Sequence, residues 1–280
     1  EKGVELSCST VFQESRGVSL LGWRFLAFLY WAGGRGGLAR RVYNSLRTGQ
    51  AVLRERSLLL RLLGRDLTSH LAGLRGIVLV AHPFLAHLLS SVCRTWYVHG
   101  EIAAPRECAI AGAERIFVPL RETRDRLVRS GANPASVVVS GLMIEPGLLE
   151  RREGAIRERL ERIRSGKPLT IGFFTSGAYP SEHMVRMLEG ARSVVEDDMR
   201  AVLFSGTKRG PVQSIRRRVR GWGIPWVEDS CDGVAEAADW QVRLVYRSTR
   251  QEETRRACEL VPELDAFVAA SHERTNWAVG

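Results

Sequence analysis

Several stretches of the chain place small, hydroxyl-bearing or titratable residues directly after an apolar run, where a parallel sheet hands the chain to a helix. Thr175-Ser176-Gly177-Ala178-Tyr179-Pro180 follows Leu169–Phe174 and opens a segment containing Met184, Val185, Met187 and Leu188. Small residues at a helix start leave backbone N–H groups unobstructed at the positive end of the helix dipole, which suits a diphosphate. The turn is neither a G-x-G-x-x-G nor a Walker loop, so an ordinary β–α turn with Ser176 as N-cap is the competing reading. Phe204-Ser205-Gly206-Thr207 ends the next strand on the same carboxyl edge, where open α/β sheets bind ligands, and puts Gly206 and Thr207 beside the first turn. A third stretch, Ala270 to Trp277, carries more polar side chains than helix capping requires. There Arg274 can neutralise a phosphate, Thr275 and Asn276 can bond phosphate or ribose oxygens, and His272 or Glu273 can contact sugar hydroxyls.

A different chemistry is offered by Val98-His99-Gly100-Glu101, where an imidazole and a carboxylate lie two positions apart across a glycine. Such a loop can supply a general base or bind hydroxyls, with a structural turn round a partly buried His99 as the competing reading. His82, in Ala81-His82-Pro83, repeats this placement after the preceding strand. The arginines of Ile215–Arg220 read as a solvated helix face and earn no site.

These turns need strands and helices to hold them, and from residue 77 short β-branched runs alternate with amphipathic stretches, the signature of parallel sheets with crossover helices. Strands are expected at Ile77–Ala81, Thr95–Val98, Arg115–Pro119 and Ser136–Ser140, with a helix over Glu122–Ser130 ending at Gly131. The charged stretch 145–166, closed by Gly166-Lys167-Pro168, predicts a helical connection between domains 1–144 and 167–280. A second series follows, at Leu169–Phe174, Ala201–Ser205, Pro225–Glu228, Val242–Tyr246 and Ala266–Ala270. The fold class is therefore α/β, with two Rossmann-like domains in tandem. Before residue 77 the sequence predicts helix over Leu38–Leu63 and a lone strand near Val4–Cys8, without the Gly-rich turn that opens a complete domain of this kind. That lack, no Met at residue 1 and a last helix cut at Gly280 predict a chain incomplete at both ends.

A chain of 280 residues can build two cores, and its 45% hydrophobic and 26% charged content excludes disordered and fibrous classes. The net charge of +10 fits an anionic ligand or an anionic membrane surface, while no RNA-binding aromatic signature or zinc finger accompanies it, so no nucleic-acid partner is expected. Cys8, Cys93, Cys108, Cys231 and Cys258 are widely spaced, which predicts thiols in a reducing, cytoplasmic compartment and no metal centre. Val18–Trp31 is apolar but interrupted by Arg24 and short of the roughly 20 residues a span needs. It reads either as a buried helix or as one lying on an anionic bilayer as a peripheral contact.

The order of these motifs resembles the GT-B glycosyltransferases, in particular the branch containing the peptidoglycan N-acetylglucosaminyltransferase and the monogalactosyldiacylglycerol synthases. The likeness runs through His99 and Glu101, Val138–Gly141, Thr175–Ala178 and Ala266–Asn276, over most of residues 77–280. The resemblance implies two domains facing across a cleft, a nucleotide-sugar (usually a UDP-sugar) held by the second domain, and inverting, metal-independent transfer to an acceptor, lipid-linked or otherwise, on the first, with no cofactor. It places Ser176, Gly177 and Ala178 against the diphosphate, His272–Asn276 against phosphate and sugar, and His82, His99 and Glu101 on the acceptor side, His99 and Glu101 being the candidate catalytic groups. The Gly-Gly-His loop that often supplies the base in this branch has no counterpart here, and the ribose-binding acid is not assignable. A nucleotide-sugar-binding protein without transfer activity and a UDP-sugar epimerase stay open as alternatives.

Overall fold

The computed structural model describes residues 7–33, 58–174, 181–207, 212–230, 233–234 and 239–268. The chain divides into two compact units, Glu1–Gly141 and Leu142–Gly280. Each is an α/β unit with its own, mainly parallel sheet.

The first unit contains α1 (Val11–Glu14), α2 (Gly17–Gly33), α3 (Leu58–Leu71), β1 (Ile77–Val80), α4 (Pro83–Leu89), β2 (Arg94–Val98), β3 (Arg115–Val118), α5 (Arg121–Arg129) and β4 (Val137–Val139). Its strands lie in the order β1-β2-β3-β4, all parallel. Tyr97, Ile110, Ile116, Val118 and Leu127 are buried at its centre. Helix α5 buries Thr123 and Leu127 and exposes Arg121, Arg126 and Arg129. It ends as its sequence predicts: Gly131 takes φ +106° and lets the Ala132 N–H reach back to the Leu127 carbonyl at 3.0 Å.

Helices α2 and α3 pack through Trp23 and Leu63, with Leu88 of α4 beneath. The Ser19 hydroxyl and the Trp23 indole N–H both donate to the Leu63 carbonyl. Close approach depends on Gly64, where an added Cβ would lie 2.6 Å from a Leu88 methyl. The apolar stretch 18–31 is thus a packed helix with Trp23 and Leu29 buried, although Val18, Leu21, Phe25 and Phe28 stay exposed. No helix among the described residues is long and apolar enough to cross a membrane.

The second unit contains α6 (Pro146–Arg164), β5 (Thr170–Phe174), α7 (Ser181–Glu196), β6 (Arg200–Thr207), α8 (Val212–Arg220), β7 (Trp226–Ser230), β8 (Gly233–Val234), β9 (Val242–Arg247), α9 (Arg250–Leu260), a 3-10 turn at Val261–Glu263 and β10 (Ala266–Val268). Strand order is β10-β5-β6-β9-β7-β8, parallel except for β8, which runs antiparallel to β7. Consecutive residues of the central strands feed opposite layers, as period-two geometry demands. Phe173, Leu203 and Leu244 pack with α7 and α8, whereas Phe174, Val202 and Val245 pack with α9. Phe174 and Phe204 stack at 4.3 Å between ring centroids.

Helix α6, read from sequence as the connection, lies within the second unit and is tied to it by three arginines. Arg151 donates to the Glu259 carbonyl, Arg159 to the Leu264 carbonyl, and Arg162 pairs with the buried Asp265 carboxylate at 3.0 Å. Residues 7 and 8 are not strand, and the rest of the expected Val4–Cys8 strand lies outside the described residues. Of the helix expected over Leu38–Leu63, residues 38–57 are likewise outside, and α3 runs beyond its predicted end to Leu71.

Candidate functional site

Strand order in the second sheet marks a carboxyl edge of the kind at which open α/β sheets bind ligands. The chain starts at β5 and moves to β6, adds β7 and β9 on that side, then returns across the sheet to lay β10 on the other side of β5. The reversal makes β5/β10 the topological switch point, and open α/β sheets bind ligands at the carboxyl ends of the strands that flank such a point. Phe173 is registered against Val268. The two stretches read from sequence as donor-binding therefore leave adjacent strands on one edge. Their own residues, Thr175, Ser176, Gly177 and Ala178 on one side and His272, Glu273, Arg274, Thr275 and Asn276 on the other, lie outside the described residues.

The β5–β10 pairing is built with little tolerance. An added Cβ at Gly172 would lie 2.4 Å from a Leu264 methyl carbon and 3.4 Å from the Phe267 Cβ. Asp265, at the entry to β10, accepts from the Thr170 N–H at 2.8 Å and donates its own N–H to the Thr170 carbonyl at 2.8 Å.

Gly206 and Thr207 belong to β6 itself rather than to the loop after it. The pairing with β9 shifts register between Phe204 and Thr207, and Gly206 adopts φ +76° in this irregularity. A left-handed residue in an extended strand is the mark of a bulge, which re-aims the strand end. Thr207, registered against Arg247, is partly exposed at that end.

Sequence reasoning missed two charged networks that fix the neighbouring strand ends. Asp229 on β7 is fully buried and accepts from Arg247 of β9 at 2.5 Å and from Arg256 of α9 at 2.7 and 3.0 Å. Burial works against its ionisation, but the hydrogen bonds from Arg256 and Arg247 outweigh that and hold its carboxyl below the usual carboxylate range. Glu259 balances the second guanidinium, accepting from Arg256 at 2.7 Å. On the opposite face, Glu228 accepts from Arg216 of α8 at 2.6 Å and from the Tyr246 hydroxyl at 2.6 Å. Arg216, read from sequence as part of a solvated face, is thus a half-buried cross-link, while Arg217 and Arg218 beside it are exposed. Residues 228–229 and 246–247 alternate faces, so adjacent positions staple both layers to the same pair of strands.

In the first unit, His99 leaves β2 with only 3% exposure. Its Nε2 lies 2.9 Å from the Ala103 carbonyl, an acceptor, so Nε2 carries the proton and Nδ1 accepts from the Tyr97 hydroxyl at 3.2 Å. Burial lowers the imidazole pKa, against the opposing influence of the Ala103 bond and Glu107. With both nitrogens engaged, the ring pins its loop, and deprotonating an acceptor would require Nδ1 to give up Tyr97. Thr123 of α5 donates to the Ile102 carbonyl at 2.9 Å, and His87 of α4 sits 3.0 Å from the Glu107 carbonyl. Glu101 is partly exposed in the loop so held. His82 occupies the N-cap position of α4, its ring against Trp23 at 6.0 Å and Phe84 at 5.6 Å, and the residue is exposed.

No group of three or more His, Cys, Asp or Glu side chains is arranged to hold a metal among the described residues. None of Cys8, Cys93, Cys108 and Cys258 is in a disulfide.

No protein-family model and no curated protein sequence matches this chain. Among solved structures it is similar to Anabaena HepE, crystallised in complex with UDP and glucose, over 88% of this chain and 70% of that one. The two are 9% identical with a TM-score of 0.39, too loose an overlap to carry an argument about activity.

Proposed function

We propose that the chain is a glycosyltransferase of the GT-B type, transferring a sugar from a nucleotide-sugar, a UDP-sugar by the resemblance, to an acceptor held by the first unit. The observation that supports this reading is the β5/β10 switch point, from which both stretches suited to phosphate, ribose and sugar set out side by side. In this reading Ser176, Gly177 and Ala178 receive the diphosphate, Gly206 and Thr207 shape the adjoining strand end, and His272–Asn276 hold phosphate and sugar. Glu101 and His82 are assigned to the acceptor side, with Glu101 as the candidate carboxylate for an acceptor hydroxyl and His99 as its positioning residue. The acceptor is lipid-linked in this reading, and contact with a bilayer is made through the exposed side of α2.

A second reading, a nucleotide-sugar-binding protein without transfer activity, is favoured by one observation: both nitrogens of His99 are bound within the protein. Calorimetric titration with UDP, UDP-sugars and ADP, repeated with Ser176→Trp and Asn276→Ala, tests what both readings share. UDP binding weakened about tenfold or more by each substitution, equivalent to about 1.4 kcal/mol, is expected. A demonstrably folded chain that binds no nucleotide would remove both readings. Hydrolysis or transfer assays on chains that do bind then separate them.

A further inference from the structure

The amino edge of the second sheet, opposite the switch-point edge, holds a cavity of about 270 Å³ bounded by the first residues of β5, β6 and β9 together with Trp240 and the 3-10 turn after α9. We propose that it is a binding site for a small organic anion, a carboxylate or phosphate carried on a compact apolar body. This goes beyond the proposed function, whose ligand lies at the other edge.

Charge supports the anion. Arg162 on the wall is already matched by Asp265 at 3.0 Å. Arg243 has only Glu263, at 3.8 Å and with a side chain 56% exposed, and the buried Nε of Arg243 has no hydrogen-bond partner among the described residues. Arg200 makes no ion pair among the described residues, and its guanidinium lies 5.1 Å from the centre of the Trp240 ring, while that of Arg243 lies 4.4 Å from it. Two cations thus converge on one aromatic ring, and the ion pair either makes among the described residues is that of Arg243 with Glu263, at 3.8 Å. Burial also pulls the Arg243 pKa down, so the site bears a cation that its surroundings do not favour. An oxyanion between the two guanidiniums would accept charge-assisted hydrogen bonds from both.

Size and lining support the compact apolar body. Val202 and Leu264 form part of the wall beside the rim of Trp240, so a bare inorganic ion would leave apolar surface uncovered. The volume of about 270 Å³ falls just below the roughly 300 to 1,000 Å³ of drug-sized ligand pockets, which limits the ligand to a small one.

The test titrates the intact chain with phenyl phosphate, benzoate and inorganic phosphate by calorimetry, in the wild type, in Arg200→Gln and in Arg192→Gln, an exposed arginine of α7 paired with Glu196. Expected is binding of phenyl phosphate or benzoate that exceeds binding of inorganic phosphate and falls about tenfold or more in Arg200→Gln, with Arg192→Gln unchanged. The stronger of the two organic probes distinguishes a phosphate from a carboxylate ligand. A parallel NMR titration of the wild type follows the Trp240 indole N–H, assigned through Trp240→Phe, and expects it to shift with the bound fraction. Absence of organic-anion binding at millimolar concentration, binding that Arg200→Gln leaves intact, or a Trp240 signal that does not move would each overturn the proposal.

Discussion

Replacing Asp229 by Asn tests whether the second unit depends on its buried charge cluster. The carboxylate is fully buried and answers two guanidiniums whose side chains are only 13% and 22% exposed. Asparagine keeps the shape but offers one acceptor oxygen and turns an NH2 toward a guanidinium that can only donate. Breaking a buried pair from one side costs about 3–5 kcal/mol, because the partner charge stays behind. The lower end applies here, since Arg247 keeps bonds to the Asp229 and Tyr246 carbonyls and Arg256 keeps Glu259. With a urea dependence of about 2 kcal/mol per molar, a loss of about 3 kcal/mol lowers the midpoint by about 1.5 M. The assay is urea unfolding monitored by hydrogen exchange over residues 226–247. Because the folded pKa of Asp229 lies below its unfolded value of about 3.9, its contribution is present at neutral pH and is lost as pH falls through the folded pKa. The gap between wild type and Asp229→Asn therefore closes in acid. Adding Arg256→Met to Asp229→Asn should recover part of the loss, since one stranded cation is removed. A midpoint drop of less than about 0.5 M at pH 7, with no recovery in the double variant, would refute the account of the cluster.

Two further predictions concern the frames of the two candidate regions. Gly172→Ala drives a Cβ into Leu264 and should cost about 1–3 kcal/mol in thermal unfolding of the second unit, with Leu264→Ala in the same chain relieving the clash. Stability equal to wild type would mean that β10 does not pack on β5 as described. His99→Gln should lower first-unit stability by about 1–3 kcal/mol by breaking the Tyr97 and Ala103 bonds. Because burial holds the folded His99 pKa below the unfolded value of about 6.5, wild-type stability should also fall as pH drops below that value. The His99→Gln profile should be flatter, and an unchanged slope would speak against the neutral buried imidazole.

Most strands were legible because buried parallel strands are nearly continuous apolar runs, as in Ile171–Phe174 and Ala201–Phe204, and helices α5 and α6 close at Gly131 and Gly166 with positive φ. What escaped was non-local or too short to show a period. Strand β8 is two residues long. Gly206 reads as a loop start because glycine marks turns, yet here it serves a bulge inside a strand. The partners that draw Arg216 inward, Glu228 and Tyr246, lie 12 and 30 residues away, so composition alone makes it a surface charge. His99 shows the same limit at the candidate site: residue types allow a base, but Tyr97 and Ala103 decide which nitrogen holds the proton.

The return of β10 to the far side of β5 also sets an order of events in synthesis. The Thr170–Asp265 clasp closes across 95 residues. At about 5–20 residues per second, the ribosome needs roughly 5 to 20 s to deliver the second partner after the first. During that interval strand β5 presents one open edge of N–H and C=O groups, able to accept a strand from another chain. The switch point therefore comes into being only after the rest of the second sheet has been made, and a nascent chain stalled before residue 265 has no such crevice to offer a ligand.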